Sequence, residues 1–361
     1  MAKNKLVSIN IITFNAQDLI KKCLEAILAQ AYSNIEILII DNASTDKTIE
    51  VIRKTGIDYN FNFHTISNKE NLGFAVGQNM GIKNSKGDYV LVLGQDVLID
   101  KNFIRNTVET IEVNEKIGSV QGKLYKITKN MWEAKPPTYS PLTEDLASLL
   151  IDTTGLLMFK NRRIVNRGQG ERDENQYSRG EIFGVDGAAA LYRRKALEDT
   201  KLPVLRGATP KSDEFEYFDE DFFMYKEDVD LAWRLKLYNW KAIFEPNAIG
   251  YHLRGAGEKA VTSYLKVARE RKKIKSFAKY YSFKNQRLMQ IKNELCSLFL
   301  ANFCRIIVKE IGAWSYVLFF EKYTWKVIKN LFKQLPSSCR KRKIIMSRKK
   351  VGSKDMKKWF N

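Results

Sequence analysis

The chain has 361 residues, 44% hydrophobic and 12% aromatic, which fits one large α/β domain plus an appendage and excludes a disordered polar chain. Its formal charge of +20 is unevenly placed: residues 251–361 hold 28 Lys and Arg against 6 Asp and Glu, a net of +22, and the rest is near neutral. Four widely spaced cysteines argue against a disulfide framework, and no uncharged apolar run approaches the roughly 18 residues of a membrane-spanning helix.

Residues 7–13 predict a first strand, leaving no room before them for a signal peptide. Residues 18–30 predict a helix with Leu19, Cys23, Leu24, Ile27 and Leu28 on its apolar side. Residues 35–40 form a second buried strand, followed by Asp41-Asn42-Ala43-Ser44-Thr45-Asp46. A helix over 48–54, a strand over 61–66 and a helix from Gly73 come next. Gly73, Gly77 and Gly81 recur every four residues on that helix. Glycine costs a helix interior about 1 kcal/mol relative to alanine, so something must come close: the sheet, or a nucleotide lying on that face.

Residues 89–93 are an unbroken apolar run bounded by turn residues, the pattern of a strand buried on both faces of a parallel sheet. Asp96 follows just past its carboxyl end. Ligands of open α/β sheets bind beyond those ends, and a carboxylate there can hold a divalent cation on a diphosphate. The alternative is a solvated turn acid. Strand–helix alternation through this half predicts right-handed crossovers and a nucleotide-binding unit, yet no dinucleotide or Walker loop is present.

From Lys123 to Gly180 periodicity weakens and Pro136, Pro137 and Pro141 interrupt it, as in an acceptor-side loop region. Gly187-Ala188-Ala189-Ala190 then offers small side chains that allow close approach. Between Asp219 and Asp230 six acids fall within twelve positions among aromatics, before a helix over 228–238. They are either dipole-favoured acids at a helix start or carboxylates whose pKa is raised by crowding, as a general base requires. His252, one of two histidines, follows a short strand over 248–251.

These pieces resemble family 2 glycosyltransferases of the GT-A fold, especially the bacterial rhamnosyltransferase-like branch. The resemblance is carried by Ile12-Thr13-Phe14-Asn15, Ile40-Asp41-Asn42-Ala43-Ser44-Thr45-Asp46, Asn71-Leu72-Gly73-Phe74-Ala75 and Asn79-Met80-Gly81. It continues through Gln95-Asp96-Val97, Gly187-Ala188-Ala189, Phe218 to Tyr225 and Glu227-Asp228-Val229-Asp230-Leu231, in order over some two thirds of the chain. It implies a Rossmann-like, mostly parallel sheet flanked by helices, with a catalytic domain over 1–255. Residues 1–122 would be its nucleotide-sugar half and 123–255 its acceptor half.

The resemblance also implies roles. Thr13, Asn15 and Asp41 would contact the base and ribose of a dTDP- or UDP-linked donor, with Asn42 and Ser44 on the same wall. Asn71, Gly73, Phe74 and Asn79 would lie along the donor, and Gln95, Gly187, Ala188 and Glu227 would complete the substrate wall. Asp96, with His252 near it, would hold Mg²⁺ or Mn²⁺, and Asp228 would be the base of an inverting, metal-dependent hexosyl transfer to a glycan or lipid-linked acceptor in cell-surface polysaccharide synthesis. The first acid of the family's Asp-x-Asp motif is replaced by Gly94, so the cation is expected to enter with the donor.

Residues 256–361 read as a basic amphipathic helical region. Leu288, Ile291, Leu295, Phe299, Phe303 and Ile306 form one apolar stripe among Lys and Arg, and Trp314, Tyr316, Phe319, Phe320, Tyr323 and Trp325 follow. Arg340-Lys341-Arg342-Lys343 and Arg348-Lys349-Lys350 add charge. Such a segment either lies on an anionic membrane or packs on the catalytic body. The first option gives a cytoplasmic protein, peripheral on the inner face of the plasma membrane. No helix-turn-helix, zinc or RNA-binding signature accompanies the charge, which disfavours a nucleic-acid partner, and retention of Asp96 and Asp228 disfavours a catalytically silent sugar-nucleotide-binding module.

Overall fold

A computed structural model describes residues 5–133, 149–205, 214–253, 271–272, 274–321 and 325–361. Pro136, Pro137, Pro141 and Tyr323 lie outside the described residues. The first half alternates β1 (Val7–Thr13), α1 (Ile20–Leu28), β2 (Ile35–Asp41), α2 (Thr48–Asp58), β3 (His64–Ser67), α3 (Gly73–Asn84) and β4 (Tyr89–Gly94). Next come β5 (Val97–Ile99), α4 (Phe103–Glu112), β6 (Ile117–Lys126) and α5 (Lys129–Glu133). Short strands β7 (Leu150–Thr153), β8 (Leu156–Met158), β9 (Ile164–Asn166) and β10 (Gly180–Ile182) occupy the segment of weak periodicity. They lead to β11 (Ala189–Arg193), α6 (Arg194–Thr200), β12 (Leu202–Pro203), β13 (Phe215–Glu216), α7 (Glu227–Leu237) and β14 (Lys241–His252).

The main sheet runs β10-β14-β6-β11-β4-β1-β2-β3. β3, β2, β1 and β4 are parallel neighbours, as strands joined by helical crossovers must be. β11 then enters antiparallel between β4 and β6. Its first residues therefore face the last residues of β4, with Ala189 opposite Leu93. β14 runs parallel to β6, and its last residue, His252, pairs antiparallel with Val97 of β5. This reversal gathers residues around 94–97, 187–188 and 252 at one edge of the sheet.

β4 shows why its run is unbroken. Tyr89, Leu91 and Leu93 join a core with α1 and α4, while Val90 and Val92 join a second core on the opposite face. The glycine repeat of α3 is accounted for by packing on the sheet. A Cβ on Gly77 would lie 2.9 Å from Ile12 Cδ1, and one on Gly81 would lie 2.7 Å from Asn10 Nδ2. Gly73 has φ +83° and abuts Phe223, so no face of this stripe is left for a nucleotide.

The C-terminal region consists of α8 (Ser276–Asn293), α9 (Cys296–Ala301), α10 (Phe303–Phe320), α11 (Trp325–Arg348) and α12 (Ser353–Lys357). Its apolar stripe divides. Leu288, Met289, Leu295, Leu298, Leu331, Ile345 and Phe360 share the second core with Trp233, Phe222 and Val229, so that core crosses the boundary expected at residue 255. Phe303 is instead 46% exposed. Lys341, expected to face a membrane, is buried and ion-paired to Glu216, Asp219 and Asp221 at 2.6, 2.6 and 3.0 Å. Lys292 is likewise buried against Asp219, and against Asp230 at 2.9 Å. Among the described residues no helix is long and apolar enough to cross a membrane.

Candidate active site

A cavity of about 500 Å³ opens beyond the carboxyl ends of β1 and β4. Thr13, Asn42, Asn71, Phe74, Gln95, Asp96, Gly187, Ala188, Glu227, Asp228 and His252 all line it, so most residues singled out from the sequence meet there. Asn15 lines a second cavity that shares Asp96 with the first.

The β1–β2 side is a hydrogen-bonded shelf. Buried Asp41 accepts from the Thr13 hydroxyl at 3.0 Å, from the Ser44 amide at 3.0 Å and from the Ser44 hydroxyl. The Asn15 amide donates to Ser44 Oγ at 2.9 Å, and Asn42 Nδ2 donates to the Gly73 carbonyl at 3.1 Å. Gln95 braces this shelf by accepting from the Phe14 amide at 3.0 Å. Two residues expected along the donor serve the fold instead. Asn79 is buried, and its amide oxygen accepts from Tyr217 and Phe218 while its nitrogen donates to the Phe218 carbonyl and Glu220. Its hydrogen-bonding capacity is spent. Gly73 is taken up by Phe223, as above.

Asp96 faces His252, with Nε2 at 3.4 Å from Oδ2. The His252 Nδ1 meets buried Asp152 at 2.8 Å, which leaves Nε2 turned toward Asp96. Burial opposes protonation of this ring, but the hydrogen bonds to Asp152 and Asp96 outweigh it and push its pKa up to about 10. Gly94 stands where the first acid of Asp-x-Asp would be; a Cβ there would lie 2.7 Å from Asp96 Oδ1, a side-chain end that can turn aside. Among the described residues no group of three or more His, Cys, Asp or Glu is arranged to hold an ion. The Asp96 carboxylate fits a hard cation that brings phosphate oxygens and water as its other ligands, whereas the His252 Nε2, protonated at neutral pH without an ion, joins that set only by giving up its proton.

Across the cavity, Asp228 sits in the first turn of α7. Its Oδ2 accepts from the Gly187 amide at 3.1 Å and its Oδ1 from the Val229 amide at 2.7 Å. Burial and the nearby charge of Asp186 raise its pKa to about 6. Burial, then Asp228, push Glu227 well above the carboxylate range. The loop before them is held in unusual backbone, with φ of +61°, +69° and +74° at Phe223, Tyr225 and Lys226. Asn285 of α8 secures it: Nδ2 lies 2.9, 2.9 and 2.7 Å from the carbonyls of Phe222, Met224 and Tyr225.

The six-acid stretch is therefore two things. Asp228 and Glu227 have raised pKa values, as crowding predicts. Asp219 goes the other way: burial works against its charge, but Lys292 and Lys341 hold it well below the usual range. Four residues of the site escaped the sequence reading. Asp186 accepts from the Asn166 amide at 2.9 Å and from the Ala188 amide at 2.9 Å. Its position just before Gly187-Ala188 was the only signal. Lys226 was signalled only by adjoining Glu227-Asp228, and Asp152 and Asn285 carried no local signal.

The fold and site together define a GT-A-type α/β protein. Staphylococcus aureus TarS 1–349 in complex with UDP-GlcNAc has the same fold, with a TM-score of 0.54 at 14% identity over 93% of this chain and 81% of that one. GalNAc-T7 with UDP, GalNAc and Mn²⁺ gives a TM-score of 0.53 at 13% identity over 89% and 59%. The family model "Glycosyl transferase family 2" matches residues 8–201, and the chain belongs to that family.

Two relatives illustrate the reach of the likeness. A Methanococcus voltae dolichyl N-acetyl-alpha-D-glucosaminyl phosphate 3-beta-D-2,3-diacetamido-2,3-dideoxy-beta-D-glucuronosyltransferase is 37% identical over 131 residues, 35% of this chain and 41% of that protein. The poly-beta-1,6-N-acetyl-D-glucosamine synthase of Staphylococcus aureus (strain MSSA476) is 27% identical over 240 residues, 66% of this chain and 48% of that protein. The chain thus spans about half the length of the curated relatives it matches.

Proposed function

We propose that the chain is an inverting glycosyltransferase that moves a hexose from a nucleoside diphosphate sugar to a hydroxyl of a lipid-linked glycan. The observation that carries this reading is that Asp228 and the Asp96–His252 pair border one cavity. The donor class is UDP- or dTDP-linked, rhamnose being the sugar of the branch the sequence resembles; of the neighbours named above one is in complex with UDP-GlcNAc and the other with UDP and GalNAc.

Asp228 is ionised at neutral pH yet basic enough to take a proton, which suits the base of a single displacement. It accepts the acceptor hydroxyl's proton as that oxygen attacks the anomeric carbon from the face opposite the diphosphate. The anomeric C–O bond breaks with its electron pair passing to the leaving phosphate oxygen. The Gly187 amide keeps Asp228 aimed into the cavity. Asp96, joined by His252 once its Nε2 has given up its proton, would hold Mg²⁺ or Mn²⁺, which when bound neutralises charge on the leaving diphosphate. A position on the inner face of an anionic membrane is part of this reading, supported by the exposed apolar residues of α10.

The test is a panel of nucleotide sugars incubated with the purified chain, with and without Mn²⁺. One donor should be turned over in a metal-dependent way. Asp228→Asn should lower transfer about 10²- to 10⁴-fold while leaving donor affinity within about twofold. Normal turnover by that variant removes Asp228 from the mechanism.

A further inference from the structure

α10 presents its apolar side to solvent. A surface helix ordinarily turns charge outward. Here Cys304, Val308, Ile311, Gly312, Ser315 and Phe319, spaced by three and four, are all exposed and all uncharged. Val308, Ile311 and Phe319 are 63%, 61% and 76% exposed. The nearby acids point inward: Glu310 pairs with Arg287 at 2.6 Å, and buried Glu321 pairs with Arg271 at 2.7 Å.

Cations border this strip. A groove of about 490 Å³ opens between α10 and the turn joining β8 to β9, lined by Lys160, Arg163 and Arg305 together with Phe159 and Val308. Among the described residues no Asp or Glu side chain lines it, though Asn361 with the terminal carboxylate does, and exposed Lys160 and Arg305 have no side-chain ion-pair partner. The groove adjoins the catalytic cavity: Ile164, Val165 and Asn166, which continue the same turn, line that cavity. Arg163 is near enough to Lys226 for their charges to interact. Beyond the far end of α10, Trp325 and Phe332 are exposed beside exposed Lys326, Lys329 and Lys333.

We infer that this groove binds the phosphate of an amphiphilic acceptor, whose hydrocarbon chain lies along the outer strip of α10 and whose sugar reaches Asp228. The inference rests on the reading of the chain as a transferase with a lipid-linked acceptor, and assigns that acceptor a site. Lys160, Arg163 and Arg305 against one terminal carboxylate leave the lining net positive, which favours an anion. An uncharged strip from Cys304 to Phe319, roughly 24 Å long, suits a hydrocarbon chain and has no use for a soluble glycan. A second copy of this chain is a poor occupant, because it would bring the same cations to the contact.

The test uses the full chain and dodecyl phosphate below its micelle concentration, with inorganic phosphate and dodecyl maltoside as separate arms, by isothermal titration. Dodecyl phosphate should bind at least about tenfold more tightly than either control. Lys160→Glu with Arg305→Glu should weaken it more than about tenfold, and Val308→Asn with Ile311→Asn at least about threefold, both pairs keeping wild-type donor binding. Should circular dichroism show the charge-reversed protein unfolded, Lys160→Gln with Arg305→Gln gives the same reading without introducing repulsion. Equal affinity for inorganic phosphate, equal affinity for dodecyl maltoside, or no change on charge removal overturns the site. Its failure with Asp228-dependent transfer intact sinks the groove alone; selective binding in a chain that transfers no sugar leaves the groove standing and sinks the transferase reading.

Discussion

Asp41 and Asp228 border the same functional region, and the chain holds them by different means. Asp41 ends a parallel strand, and its partners are Thr13 at the end of the neighbouring strand and Ser44 in the turn that follows its own. Asp228 follows a loop whose backbone is fastened by Asn285 and whose acids are neutralised by Lys292 and Lys341, from helices far along the chain. The Asp41 shelf is thus assembled by local topology, whereas the wall opposite depends on the C-terminal helices. A basic tail and an acidic loop that look like separate features in the sequence are two halves of one buried ion-pair network.

The comparison breaks most readily at Lys341. Lys341→Met leaves Glu216, Asp219 and Asp221 without a shared cation in a buried site, and should cost about 3–5 kcal/mol in denaturant unfolding. A loss below about 1 kcal/mol would mean that the loop stands without the tail. A smaller effect is expected from acid. With its pKa near 6, Asp228 loses its base form as pH falls, so transfer at pH 5 should be about tenfold below its plateau above pH 7, while nucleotide affinity on the Asp41 shelf holds steady. A flat rate through this range would assign the proton to another group. The smallest change belongs to the shelf itself. Ser44→Ala removes one hydroxyl from a carboxylate that keeps Thr13 and a backbone amide, and should cost about 1 kcal/mol by the same unfolding measurement.

What the sequence discloses follows this division. The parallel strands announce themselves because each is a continuous apolar run, and Asp41, Asp96 and Gly187 are findable because they stand just outside such runs. Asp228 is findable from its place beside Glu227 at a helix start. Asp152 is invisible because its role is set by β7 pairing with β6, next to β14 and His252, an arrangement decided by sheet order rather than local pattern. The stripe of α8 reads equally well as a membrane face or a core face, since a 3.6-residue period says that one side is apolar and not what covers it. Likewise, a count of lysines cannot separate Lys341, buried among carboxylates, from Lys160, which meets water.

The amide of Asn285 has a consequence for the order of events on the ribosome. Synthesis proceeds from the N-terminus, so the strands that form the nucleotide shelf emerge well before α8 and α11. Until those last helices arrive, three carbonyls of the strained loop lack their donor and the acids beside it lack their counter-ions. The wall that carries Asp228 is therefore completed only after residues 276–348 have been made.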